Sequence, residues 1–145
     1  FLFAVSGCAG FVGKSIFAMI SDKFYERIKY VALAIFALQI CGVAILMFAN
    51  SFATVALALT FVGAGAGATI PLHPFLNSAH FEESAIGSVN GAQMPLLFPF
   101  VVAGGPLTGY AFDVTGSYFN AFLGLLVLIC CATALLMTLP KPMPR

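Results

Sequence analysis

Five apolar runs, each about as long as a bilayer is thick, leave this chain one class of fold. They lie at about Phe1 to Ile20, Tyr30 to Ala49, Ala53 to Leu76, Gly87 to Phe112 and Phe119 to Leu139. A helix needs about 20 mostly apolar residues to cross the hydrocarbon core, and each run reaches that length. Only 8% of the 145 residues are charged and 61% are hydrophobic. A soluble domain carries roughly 25% charged residues, and one of this size could not cover so much apolar surface. Lipid must be the solvent for most of the chain. The sequence therefore predicts an all-α membrane protein with five transmembrane helices. A net charge of +1 argues against nucleic acid as an electrostatic partner.

Cys8, Cys41, Cys130 and Cys131 all fall inside apolar runs, where they act as small apolar side chains. They form no CxxC pair and no Cys/His cluster at metal spacing. Neither metal, disulfide nor other cofactor is expected. The chain starts inside an apolar run at Phe1, without an initiator Met or a charged leader, and so reads as a piece of a longer protein.

The connections between the runs are short. "SDKFYERIK" is charged, "NSF" is not, "NSAHFEESAI" is acidic, and "DVTGS" reads as a turn capped by Asp113 and Gly116. The tail "PKPMPR" is basic and broken by proline. Lys23, Arg27 and Lys29 follow the first run, while Lys141 and Arg145 follow the fifth, so five of the six Lys and Arg residues fall on one side. The positive-inside rule makes that side cytoplasmic. It predicts an integral protein of the cell membrane with its tail in the cytoplasm.

Glycine and proline sit within the spans as well as between them. Gly63, Gly65, Gly67, Pro71 and Pro74 punctuate the third run, and Pro95, Pro99, Gly104, Gly105, Pro106 and Gly109 the fourth. Small residues allow close helix packing, whereas broken helices line cavities in transporters. The density in two adjacent spans favours bendable or broken helices that line a cavity.

The remaining basic residue, Lys14, lies in "GCAGFVGKSIFAMISDK". Its "GKS" is no phosphate loop: the first glycine of that pattern would fall at position 8, which is Cys8. Lys14 stands seven residues inside the end of the first run, a depth of roughly 10 Å at 1.5 Å per residue. A lysine at the bilayer centre costs about 2.5–3.5 kcal/mol on insertion scales. No acidic residue lies within a span to pair with it, so it is suited to an anionic, carboxylate-like solute. A snorkelling lysine at a shifted helix end is the plainer reading. Asn90 and Gln93 in the fourth run and Gln39 in the second either line a cavity or join helices. His73, flanked by Pro71 and Pro74, is a candidate proton carrier, or a headgroup-level hydrogen-bonding residue. No catalytic constellation is available within the spans, so an enzyme is not expected.

Two stretches resemble the major facilitator superfamily of secondary transporters. "FAMISDKFYERIKY" is similar to that family's loop signature, with Asp22, Lys23, Arg27 and Lys29 in its charged positions and Ala18 where a glycine is usual. "GGPLTGYAFDVTGSYFNAF" resembles the last hairpin of monocarboxylate and oxalate/formate-type members. Lys14, eight residues ahead of Asp22, stands where such members often carry a substrate-contacting arginine. A lysine keeps the charge but not the bidentate fork. The resemblance implies five helices of one six-helix half of the fold, helices eight to twelve of a twelve-helix protein. It also implies alternating access about a site shared with an amino-terminal half. Lys14, Asn90 and Gln93 would then contact a small anionic solute, and Asp22, Lys23 and Arg27 would form the conformational loop. The alternative is a non-transporting polytopic subunit or receptor-like module, in which Lys14 only snorkels.

Overall fold

Each apolar run becomes one helix, because in lipid a backbone amide has no partner except along its own helix. The computed structural model describes residues 1–21, 23–140 and 142. Its helices are α1 (Leu2–Ser21), α2 (Ile28–Met47), α3 (Phe52–His80), α4 (Glu83–Thr115) and α5 (Phe119–Met137), with one 3-10 turn at Tyr25–Arg27. All five are long and apolar enough to cross a membrane. The protein is an all-helical, multi-pass membrane protein.

Local chemistry sets the ends. Ser51 starts α3 through a reciprocal cap, its Oγ accepting from the Thr54 N–H at 3.2 Å while Thr54 Oγ1 accepts from the Ser51 N–H at 3.1 Å. Gly116 stops α4 in the left-handed region at φ 68°, donating its N–H to Phe112 O at 2.7 Å. Asp113, expected to share that turn, lies inside the helix.

Two expectations are corrected. The acidic connection after the third run shrinks to Phe81 and Glu82, because α3 continues to His80 and α4 begins at Glu83. Hydropathy marks where lipid ends, and "NSAH" holds no residue that breaks a helix. Its side chains find partners on the helix itself: Ser78 Oγ donates to Phe75 O at 2.8 Å, and His80 Nδ1 lies 2.9 Å from Leu76 O. Nor are the third and fourth spans broken, so of the two forms expected only the bendable one remains. Helix α3 runs through Pro71 and Pro74, and α4 through Pro95, Pro99 and Pro106. Each proline removes one N–H, while an outright break would strip several backbone groups of partners in lipid.

Helix α3 is the packing centre, with α1 and α2 its main neighbours, and α5 packs on α2. Where α1 meets α3 the side chains vanish. A methyl added at Gly67 would strike the Gly10 carbonyl, one at Gly13 the Ala64 backbone, and one at Gly63 the Ser6 carbonyl. Across α2, Gly42 fits under Phe61 and Val62, and Gly65 under Gln39. The larger core residues gather at the end of the bundle that holds the charged α1–α2 connection: Phe17, Ile28, Ala32, Ile35, Leu72 and Leu136. Phe17 and Tyr25 both meet Phe75 edge-on, with ring centroids 5.9 and 5.8 Å apart.

Helix α4 differs. It contacts α3 and α5 only lightly, buries no residue, and leaves open space around Gly87, Gly91, Gly104, Gly105 and Gly109. The glycines of α3 are thus packing residues, while a methyl added at those of α4 would meet nothing in the described chain. Replacing Gly67 by Ala should destabilise the detergent-solubilised protein by about 1–3 kcal/mol, the usual cost of overpacking. Gly104→Ala should be neutral or stabilise by up to about 1 kcal/mol through helix propensity. Thermal unfolding of both variants checks the ranking, and the opposite order would mean that α1 and α3 do not touch at Gly67.

Candidate functional site

Helix α1 buries Ala9, Gly13, Phe17 and Ser21, a stripe four residues apart. Lys14 follows Gly13 around the helix by about 100° and so sits at the rim of this stripe. There the missing glycine side chains leave a groove of about 360 Å³. Ser6, Gly10, Phe11 and Lys14 line it from α1, and Gly63, Ala66, Gly67 and Ile70 from α3. Lys14 is the only ionisable residue in this lining. It is exposed, and among the described residues it has no hydrogen-bond or ion-pair partner. A cation among apolar walls attracts an anion more strongly than the same charge in water. A groove of mainly apolar lining with a few polar groups is also the usual form of a small-molecule site.

Asn90 and Gln93 lie elsewhere. Three residues apart on α4, they share a face and meet the buried Asn77 of α3. Asn77 Nδ2 donates to Asn90 Oδ1 at 2.6 Å and to Gln93 Oε1 at 3.0 Å, while Gln93 Nε2 donates back to Asn77 Oδ1 at 3.2 Å. This amide cluster is the polar tie between α3 and α4, and neither α4 amide lines the Lys14 groove. Gln39 likewise serves packing: Nε2 donates to Thr69 Oγ1 at 3.0 Å, and its stem covers Gly65.

In the α1–α2 connection Lys23 and Arg27 are exposed, and Asp22 lies outside the described residues. His73 is exposed on α3 with no hydrogen-bond partner among the described residues. Lys29 has a structural role. Its Nζ donates to Met137 O at 2.5 Å and to Leu139 O at 3.0 Å, satisfying the last carbonyl of α5 and one just beyond it and opposing the negative end of the helix dipole. His80 Nε2 lies 3.2 Å from Pro140 O of the same segment; since Nδ1 faces Leu76 O, a neutral imidazole donates to one of these two carbonyls. Among the described residues no group of three or more His, Cys, Asp or Glu is placed to hold a metal.

Asn77 and the Lys29 cap were not evident in the sequence. The available signal was Asn90 and Gln93 at i, i+3, two amides on one helix face that demand a partner of their own kind. Compared with protein-family models, with curated proteins and with solved structures, the chain matches none.

Interhelical hydrogen bonds in membranes average about 0.6 kcal/mol and reach about 1.7. A double-mutant cycle with Asn77→Ala and Gln93→Ala should give a coupling energy in that range, measured by unfolding in mixed micelles. Zero coupling would remove the cluster as the tie between α3 and α4.

Proposed function

We propose that this chain is part of the membrane domain of a secondary transporter, most of its carboxy-terminal half, that moves a small organic anion by alternating access, with Lys14 as the charge that attracts the solute. The observation that carries this reading is a lysine within a membrane span that faces a groove and has no partner among the described residues. A lysine there is costly to insert, and no described partner offsets that cost. An anionic solute would. The resemblance of the Asp22–Lys29 loop and the Gly104–Phe122 hairpin to major facilitator proteins supports the same reading. It adds a second helical bundle, from the amino-terminal half, as the partner completing the site. With the positive-inside rule, it puts the tail on the cytoplasmic side of the cell membrane. Asn90 and Gln93 are engaged by Asn77, so in this arrangement Lys14 carries the attraction without them.

A second reading, a non-transporting polytopic subunit, is favoured by a different observation. The polar amides of α2, α3 and α4 are used to join helices, as in a static assembly.

Uptake into proteoliposomes bearing the full-length protein separates the two. Lys14→Gln should lower uptake of labelled carboxylates at least about tenfold, as expected for loss of a charge-assisted contact, and Lys14→Arg should retain most of it. Unchanged uptake in Lys14→Gln, with the protein folded and inserted, would leave Lys14 as a snorkelling residue.

A further inference from the structure

We infer that Ser6 is the second recognition point of the Lys14 groove, which takes a monoanion carrying a hydrogen-bonding group at the end remote from its charge. This rests on the anion-site reading of Lys14 and adds to it the shape and valence of the solute.

The groove has two residues with polar side chains, Lys14 and Ser6; its other lining residues are Gly10, Phe11, Gly63, Ala66, Gly67 and Ile70. Both polar residues belong to α1, eight positions apart, which is about 12 Å of helical rise. Side chains on a helix lean toward its N-terminus, so the Lys14 stem is directed over the turn bearing Gly10, toward Ser6. The two positions also differ by about 80° around the helix, and the lean of the lysine stem shortens the gap between their polar groups. A solute several carbons long, such as a five-carbon acid with a terminal hydroxyl, can then meet both groups.

The Ser6 hydroxyl is free for this role. Serines and threonines in the helices of this chain commonly return their hydroxyl to the carbonyl four residues back. Ser15 donates to Phe11 O at 2.9 Å, Thr60 to Ala56 O at 2.8 Å, Thr108 to Gly104 O at 2.7 Å and Thr133 to Ile129 O at 2.7 Å. Ser6 does not: among the described residues its Oγ has no hydrogen-bond partner. No unpartnered side-chain oxygen or nitrogen is buried among the described residues, so this Oγ is accessible, and Ser6 lines the groove. The absent side chain of Gly63 keeps it open, since a methyl there would lie 2.9 Å from Ser6 Oγ.

The charge inventory sets the valence. One ammonium neutralises one carboxylate, and a second carboxylate would be held among apolar walls with only a hydroxyl to meet it, an unfavourable burial of charge. A neutral solute would leave Lys14 unpaired. The groove thus selects against both.

The test uses the full-length protein in phosphatidylcholine proteoliposomes, with uptake of labelled pentanoate, 5-hydroxypentanoate and pentanedioate. The unaltered protein should prefer 5-hydroxypentanoate to pentanoate by up to about tenfold, the upper net worth of one hydrogen bond, and should take up pentanedioate least. Ser6→Ala should bring the hydroxy-acid ratio close to one, and Ser6→Thr should restore it. Equal uptake of the two monoacids by the unaltered protein, or a ratio that survives Ser6→Ala, overturns the inference. Lys14→Gln distinguishes this from failure of the underlying reading. Loss of all anion uptake in Lys14→Gln with an unaltered ratio in Ser6→Ala removes only the role of Ser6, whereas unchanged uptake in Lys14→Gln removes the anion site itself. Adding phosphatidylglycerol to the vesicles tests a lipid headgroup as the source of the anion. Uptake of the acids should not fall, and a fall as the anionic lipid rises would assign the groove to lipid instead.

Discussion

The bundle depends on the direct approach of two backbones. Lipid tails are as apolar as leucine, so no hydrophobic force draws α1 to α3, and close van der Waals contact must do so. Gly10, Gly13, Gly63 and Gly67 make that contact possible by presenting no side chain at the crossing. The large residues are displaced outward, with Phe3 96% and Met19 79% exposed. At this crossing the size order of a soluble core is inverted, although Phe17, Ile28, Ile35 and Leu72 are buried nearer the charged connection. The groove beside Lys14 arises from the same contact, because side chains removed to let the helices touch also leave space along the edge of the contact.

The bundle is tied differently at its two ends. At the end carrying the charged connection, Lys29 holds the last carbonyls of α5, His80 reaches Pro140, and Asn77 gathers Asn90 and Gln93. Much of the apolar core lies there too. At the opposite end the polar bonds are local: the Ser51–Thr54 cap and the Gly116 turn each join residues within one connection. The helices α1, α2, α3 and α5 therefore share a firm base, while α4 is held by the amide cluster and a few contacts with α5.

The five spans were legible because a long apolar run in lipid has little choice but to be a helix. Their ends were less legible. Asn77 and His80 read as loop residues on polarity alone, yet partners on and beside the helix let both remain helical. That misplacement also hid the amide cluster, because a residue assigned to a loop is not considered as a partner for one inside a span. Lys14 was visible as a lone charge in an apolar run. Its groove was not, since the groove depends on which glycines of α1 and α3 face each other, and several registers place small residues opposite small ones. Lys29 looked like a member of a basic loop, and only the position of the end of α5 reveals it as a cap.

Helix α4 has a consequence of length. Its 33 residues make a rod of about 50 Å at 1.5 Å per residue, against a hydrocarbon core of about 30 Å. Such a helix must lean or project beyond the core, and either response depends on bilayer thickness. Because α4 buries none of its residues, little packing resists a change of tilt. The thickness of the host membrane, a property of lipid rather than of sequence, therefore acts on α4 before it acts on α1, α2 or α5.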